Sequence, residues 1–158
     1  MTSVTVIGIG NTLMGDDGVG VVVAEALASR DHGADVNVTI GYTAGMALMP
    51  AVQDAEHVII IDAMDAGEAP GSVFRFDAEA VGLPQLRSTT SHGVGVPQLV
   101  AAARLLGNCA PFTVFAVQVG DIMCGPDTLS PQVREALPDI VGMVEAEAES
   151  IAHGTSSG

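Results

Sequence analysis

The stretch 4-VTVIGIGNTLMGDDGVGVVVAEALASR-30 decides the architecture. Its first part, 4-VTVIGIG-10, is apolar at consecutive rather than alternate positions, the signature of a strand covered on both faces. A glycine-rich turn follows, and residues 18–30 then read as a helix entered after acidic residues and closed by Arg30, as a helix dipole prefers. Two further runs, 57-HVIIIDA-63 and 112-FTVFAVQVG-120, share the character of the first. The segment 35-DVNVTIG-41 alternates more but also reads as a strand, and 71-GSVFRFD-77 reads as a strand at a sheet edge. Helical patterns lie between them. One covers 43–53, with Pro50 late in it, and another covers 97–106, opening on Pro97 and stopping at Gly107. The last begins at Ser130-Pro131. Pro138 is expected to split it into a short turn and a longer helix with Ile140, Val144, Ala148 and Ile151 on one face.

Strands that alternate with helices predict an α/β fold: a single-domain three-layer sandwich over residues 1–152, with a mostly parallel twisted sheet of about five strands and helices on both faces. The tail, 153–158, is small and polar and is expected to fray. In such sheets ligands bind beyond the carboxyl ends of the strands.

Composition narrows the function. A chain of 158 residues, 48% of them hydrophobic, is long and apolar enough to bury a core, which argues against disorder. Its formal net charge is −14, and its five basic residues are all arginines: Arg30, Arg75, Arg87, Arg104 and Arg134. That leaves no positive footprint for nucleic acid and disfavours an anionic membrane surface. The missing lysine excludes a Schiff base and a Walker loop. Cys109 and Cys124 form neither a disulfide framework nor a metal pair, and Cys124 is expected to be a small buried residue. No leader pattern and no bilayer-length apolar run are visible, so the expectation is a soluble, cytoplasmic protein.

The chemistry concentrates at three places. The turn 8-GIGNTLMGDDGVG-20 looks at first like a phosphate loop. However, Leu13 stands where a dinucleotide fingerprint needs its third glycine, and Asp16 and Asp17 stand where a nucleotide would require backbone or lysine. One aspartate suffices to support a helix start; the second is a candidate ligand-facing carboxylate. Asp62 ends the apolar run 58-VIII-61, where an unpaired carboxylate would be costly. His92 lies in the polar loop 88-STTSHGVGVPQL-99 before a proline-initiated helix. His32, in a surface-like turn, His57 and His153 are weaker candidates. Asp17, Asp62 and His92 together would make a three-ligand site for a borderline divalent cation.

The segments 7-IGIGNTLMGDDGVGVVVAEAL-27, 43-TAGM-46, 58-VIIIDAM-64 and 91-SHGVGVPQL-99 resemble, in order, the motifs of the hydrogenase maturation endopeptidases. The resemblance implies an aspartyl-type or metal-dependent protease. Its action would be to remove the C-terminal extension of the nickel–iron hydrogenase large subunit precursor after nickel insertion. It places the metal-binding and catalytic roles on Asp17, Asp62 and His92, with Asp16 supporting the helix start. Nickel would arrive with the precursor, zinc or cadmium could stand in the same site, and no nucleotide is implied. Family members typically carry Asp-Gly-Gly-Thr where this chain has 40-IGYT-43. Gly41, Tyr42, Thr43 and Gly45 are therefore expected to recognise substrate, with altered specificity. The alternative is a non-catalytic nickel-sensing chaperone or docking module for the same precursor.

Overall fold

The computed structural model describes residues 2–80, 86–88, 95–126 and 128–154. Five strands form one sheet: β1 (Val4–Ile9), β2 (Val36–Tyr42), β3 (His57–Met64), β4 (Val73–Asp77) and β5 (Phe112–Gln118). Their order is β2-β1-β3-β5-β4, parallel except for β4, which runs antiparallel to β5 at one edge. The helices are α1 (Val19–Ala28), α2 (Met49–Gln53), α3 (Val96–Leu105) and α4 (Pro131–Ala152). The three-layer α/β sandwich and its edge strand are as expected.

The central strands carry apolar residues at successive positions because both faces are covered. Ile59, Ile61 and Ala63 of β3 pack with Val19, Val23 and Leu27 of α1 and with Val133, Ile140 and Val144 of α4. Val58, Ile60 and Met64 face the other way, onto Leu48, Met49 and Val52 around α2 and onto Leu99, Val100 and Ala103 of α3. No helix among the described residues is long and apolar enough to cross a membrane.

Three expectations need correction. Pro138 does not break the last helix, which runs unbroken from Pro131 to Ala152. Pro138 sits on the exposed side of the helix. The buried face of Val133, Ile140, Val141, Val144, Ala148 and Ala152 outweighs a proline cost of ~3 kcal/mol. Pro50 lies at the start of α2, not late in a helix, because residues 45–48 form a separate 3-10 turn before it. Cys124 is exposed, as is Cys109, since residues 120–126 loop outward after β5.

Glycine permits the contact that brings α1 onto the sheet. A Cβ on Gly20 would stand 2.2 Å from the Ile61 carbonyl oxygen and 2.5 Å from that of Ile9. A Cβ on Gly8 would stand 2.2 Å from the Gly20 carbonyl oxygen. The first turn of α1 therefore rests directly on the backbones of β1 and β3. Gly20→Ala is expected to cost about 3 kcal/mol or more in urea unfolding. Gly142→Ala, at an exposed position of α4 with nothing within 4 Å of its added Cβ, should instead gain about 1 kcal/mol.

Candidate active site

The strand order reverses between β1 and β3, since β1 leads to β2 on one side and pairs with β3 on the other. The crevice beyond the carboxyl ends of these two strands is the usual ligand position in an open α/β sheet. Both sequence-predicted carboxylates within the described residues lie there. Asp17 follows β1 in the 3-10 turn Gly15–Gly18 that leads into α1, and Asp62 lies near the end of β3.

Both are buried, Asp17 5% and Asp62 0% exposed. The segment 86–88 spans them, tied to the end of β3 by an isolated antiparallel bridge between Met64 and Leu86. Arg87 Nε lies 3.3 Å from Asp17 Oδ1, and the Asn11 N–H donates to Asp17 Oδ2 at 3.3 Å. The Ser88 hydroxyl donates a short hydrogen bond to Asp62 Oδ2, which also accepts from the Ser88 N–H at 3.4 Å. The Ala63 N–H donates to Asp62 Oδ1 at 2.8 Å. Two consecutive residues thus serve the two carboxylates.

Burial pushes the Asp62 carboxyl up to about 7, opposed by the bonds from Ser88 and Ala63 and assisted by the negative charge of Asp17. The cleft beside them is walled by Ile9, Leu48, Val96 and Leu99, with Asp17 and Ser88 at its polar end. Tyr42, Thr43 and Gly45 line it as well, while Gly41, buried within the last residues of β2, does not.

His92 lies outside the described residues. The far end of its loop is anchored where the Gly95 N–H donates to Gln98 Oε1 at 2.9 Å, just ahead of α3. Asp16 is fully buried, and its described bonds are directed away from its own helix. Its Oδ2 accepts from the Gly120 N–H at 2.7 Å and the Ser130 hydroxyl at 2.6 Å, and its Oδ1 accepts from the Ser130 N–H at 2.6 Å. The expected helix-start support is therefore redirected: Asp16 fastens the end of β5 and the N-cap of α4 to the loop that carries Asp17. An adjacent pair of aspartates divides two tasks.

The sequence reading missed Arg87 and Ser88. The available signal was an arginine next to the polar loop already singled out for His92, in a chain with only five basic residues.

Tyr42 holds φ +46, the one non-glycine residue with positive φ among those described. The β1–β2 register slips here, pairing Gly8 with Ile40 but Ile9 with Tyr42, so Gly41 is the extra residue of a bulge. The Tyr42 carbonyl accepts from the Gly10 N–H at 2.8 Å, which holds the strained residue in place. A position that resembles a family glycine is thus still built in a glycine-like conformation.

The chain belongs to the hydrogenase maturation protease family, whose family model matches residues 21–147. The match begins after Asp17 and takes in Asp62. Among relatives, the hydrogenase expression/formation protein HupD of Rhodobacter capsulatus is 31% identical over 152 residues, covering 94% of this chain and 69% of that protein. The hydrogenase 2 maturation protease of Escherichia coli is 31% identical over 150 residues, covering 94% of this chain and 87% of that protein. The solved structure of the E. coli hydrogenase maturating endopeptidase HybD superposes with a TM-score of 0.78 at 27% identity, covering 92% and 91% of the two chains.

Two outcomes follow from the site geometry. Folding raises the affinity of the Asp62 carboxyl for a proton. Its contribution to stability is thus complete below pH 3.8 and is lost as pH rises to about 7. Between these limits wild type should lose on the order of 3 kcal/mol more stability than Asp62→Asn, measured by urea unfolding against pH. Tyr42→Gly should raise stability by up to about 1 kcal/mol in the same assay, by relieving the left-handed backbone.

Proposed function

We propose that this protein is an endopeptidase that removes the C-terminal extension of the nickel–iron hydrogenase large subunit precursor, acting only after nickel has been inserted. The observation that carries the proposal is the pair of buried carboxylates at the sheet's switch point, one from the turn after β1 and one from β3, held by the consecutive residues Arg87 and Ser88. Family membership supplies the class of reaction.

The donor set suits a borderline divalent ion, because carboxylates buried this deeply favour a cation that replaces their lost hydration. Asp17 and Asp62 would hold the nickel carried by the loaded precursor, with His92, assigned by family resemblance, as the nitrogen donor. Zinc or cadmium could occupy the same donors. When bound, such a metal acts as a Lewis acid toward the scissile carbonyl or an attacking water.

The chain's own residues prepare the site. Near neutral pH the Asp62 carboxyl can keep a proton until a cation displaces it, and the Ser88 hydroxyl steadies the oxygen that changes charge. Arg87 balances Asp17 in the meantime and must yield as the cation arrives. The apolar walls Ile9, Leu48, Val96 and Leu99 would take side chains of the precursor segment, while Tyr42, Thr43 and Gly45 contact its backbone. Tyr42, half exposed, adds an aromatic surface to the cleft it lines. The setting would be the cytoplasm, without nucleotide or nucleic acid, as the charge balance favours.

Incubation with nickel-loaded and nickel-free precursor, followed by mass spectrometry, tests this reading. The expected result is release of the C-terminal peptide from the loaded form alone, with Asp17→Asn and His92→Ala at least ~100-fold slower. Normal cleavage by Asp17→Asn at native-like stability would overturn the site. Nickel-dependent binding without peptide release would assign the chain to a docking role instead.

A further inference from the structure

His32 was expected in a surface turn, but its side chain is only 4% exposed. It lies between α1 and β2, toward the amino ends of the parallel strands and away from the carboxyl-end crevice of Asp17 and Asp62. Its Nε2 is 2.7 Å from the Leu27 carbonyl oxygen. A carbonyl can only accept, so Nε2 carries a hydrogen and donates it. The other ring nitrogen, Nδ1, is buried without a hydrogen-bond partner among the described residues. It faces two carboxylates of α4: Glu145 Oε1 at 3.4 Å and Glu149 Oε1 at 3.9 Å. Glu145 and Glu149 are four residues apart and share one face of that helix.

Neither metal-less state of the ring satisfies this geometry. With Nδ1 unprotonated, its lone pair points at two anions. With Nδ1 protonated, the charges agree but the hydrogen aligns on neither oxygen, which leaves the buried donor unsatisfied. A cation between them converts all three atoms from competitors into donors.

We propose that His32, Glu145 and Glu149 form a second divalent-cation site of the zinc class, separate from the cleft at the switch point. Bond lengths of about 2.0–2.2 Å in a tetrahedral site place neighbouring donors about 3.4 Å apart, which is the separation of Nδ1 from Glu145 Oε1. Glu149, 47% exposed at its side chain, has only to close about half an ångström from its 3.9 Å. All three donor atoms already lie within 4.8 Å of one another.

The surroundings have the features of an oriented metal site. The bond to Leu27 fixes the tautomer that leaves Nδ1 available, as the outer hydrogen bond of a metal-bound histidine does. Arg30 Nη1 donates to Glu145 Oε2 at 2.7 Å, holding the remote oxygen and presenting Oε1. One imidazole with two carboxylates suits zinc, while calcium and magnesium take larger all-oxygen sets. The ion would pin the end of α1 to α4, and thus brace the helix that follows the 3-10 turn carrying Asp17.

The test uses the full chain titrated with zinc and long-range proton–nitrogen spectra of the histidine rings, so that His32 is read separately from any ion in the cleft. At one equivalent of zinc the His32 Nδ1 resonance should move as a coordinated nitrogen does, while Nε2 keeps its hydrogen. Glu145→Gln and Glu149→Gln should each weaken this binding at least ~10-fold. Asp17→Asn should leave it unchanged. A His32 ring protonated on both nitrogens in the presence of zinc would overturn the proposal, as would equal zinc affinity in Glu149→Gln.

Discussion

The first turn of α1 lies against the backbones of β1 and β3 at a distance that no side chain allows, and the site depends on this contact. Gly20 meets the carbonyls of Ile9 and Ile61. Residue 61 immediately precedes Asp62, and Gly20 is three positions past Asp17. Any thicker residue at 20 would lift the helix and carry Asp17 away from Asp62. At Gly10, φ is +140 and an added Cβ would stand 2.1 Å from the Asp17 carbonyl oxygen, so the turn itself admits no substitute. The glycines of a nucleotide loop let a phosphate approach the backbone. Here they let backbone approach backbone, and the space gained is spent on a pair of carboxylates.

Such a pair is expensive to bury, and the surrounding residues answer the cost differently at each member. Asp17 faces the Arg87 guanidinium and keeps a charged partner. Asp62 has hydroxyl and amide donors but, among the described residues, no cation, and its carboxyl rises to about 7. Two neighbouring acids held in unlike environments can bind a proton and a cation in turn. Asp16, one residue away, takes no part in this. Its three bonds to Gly120 and Ser130 close the loops around the site.

Much of the fold was legible because both-face burial leaves an unmistakable trace. The runs at 4–10, 57–63 and 112–120 all became central parallel strands. Their positions in the sheet then placed Asp17 and Asp62 at one crevice, which spacing alone could not do. Pro138 was misread because a local rule was applied without the apolar face of α4, which holds the helix together across it. Asp16 was misread because its partners lie more than one hundred positions away, at 120 and 130. Arg87 and Ser88 were missed for a related reason: their importance comes from the Met64–Leu86 bridge, a contact with no local signature. His32 had the same fault in reverse, since nothing in an Asp-His-Gly turn announces that α4 will cover it.

The central claim is that Asp17 and Asp62 touch the precursor's nickel itself. X-ray absorption at the nickel edge, on loaded precursor with its cleavage site blocked, tests it most directly. On addition of the wild-type chain the nickel should gain oxygen donors, and Asp62→Asn should diminish that gain while still binding the precursor. An unchanged nickel spectrum in a fully formed complex would contradict the account and leave the two carboxylates with a role that does not involve the metal.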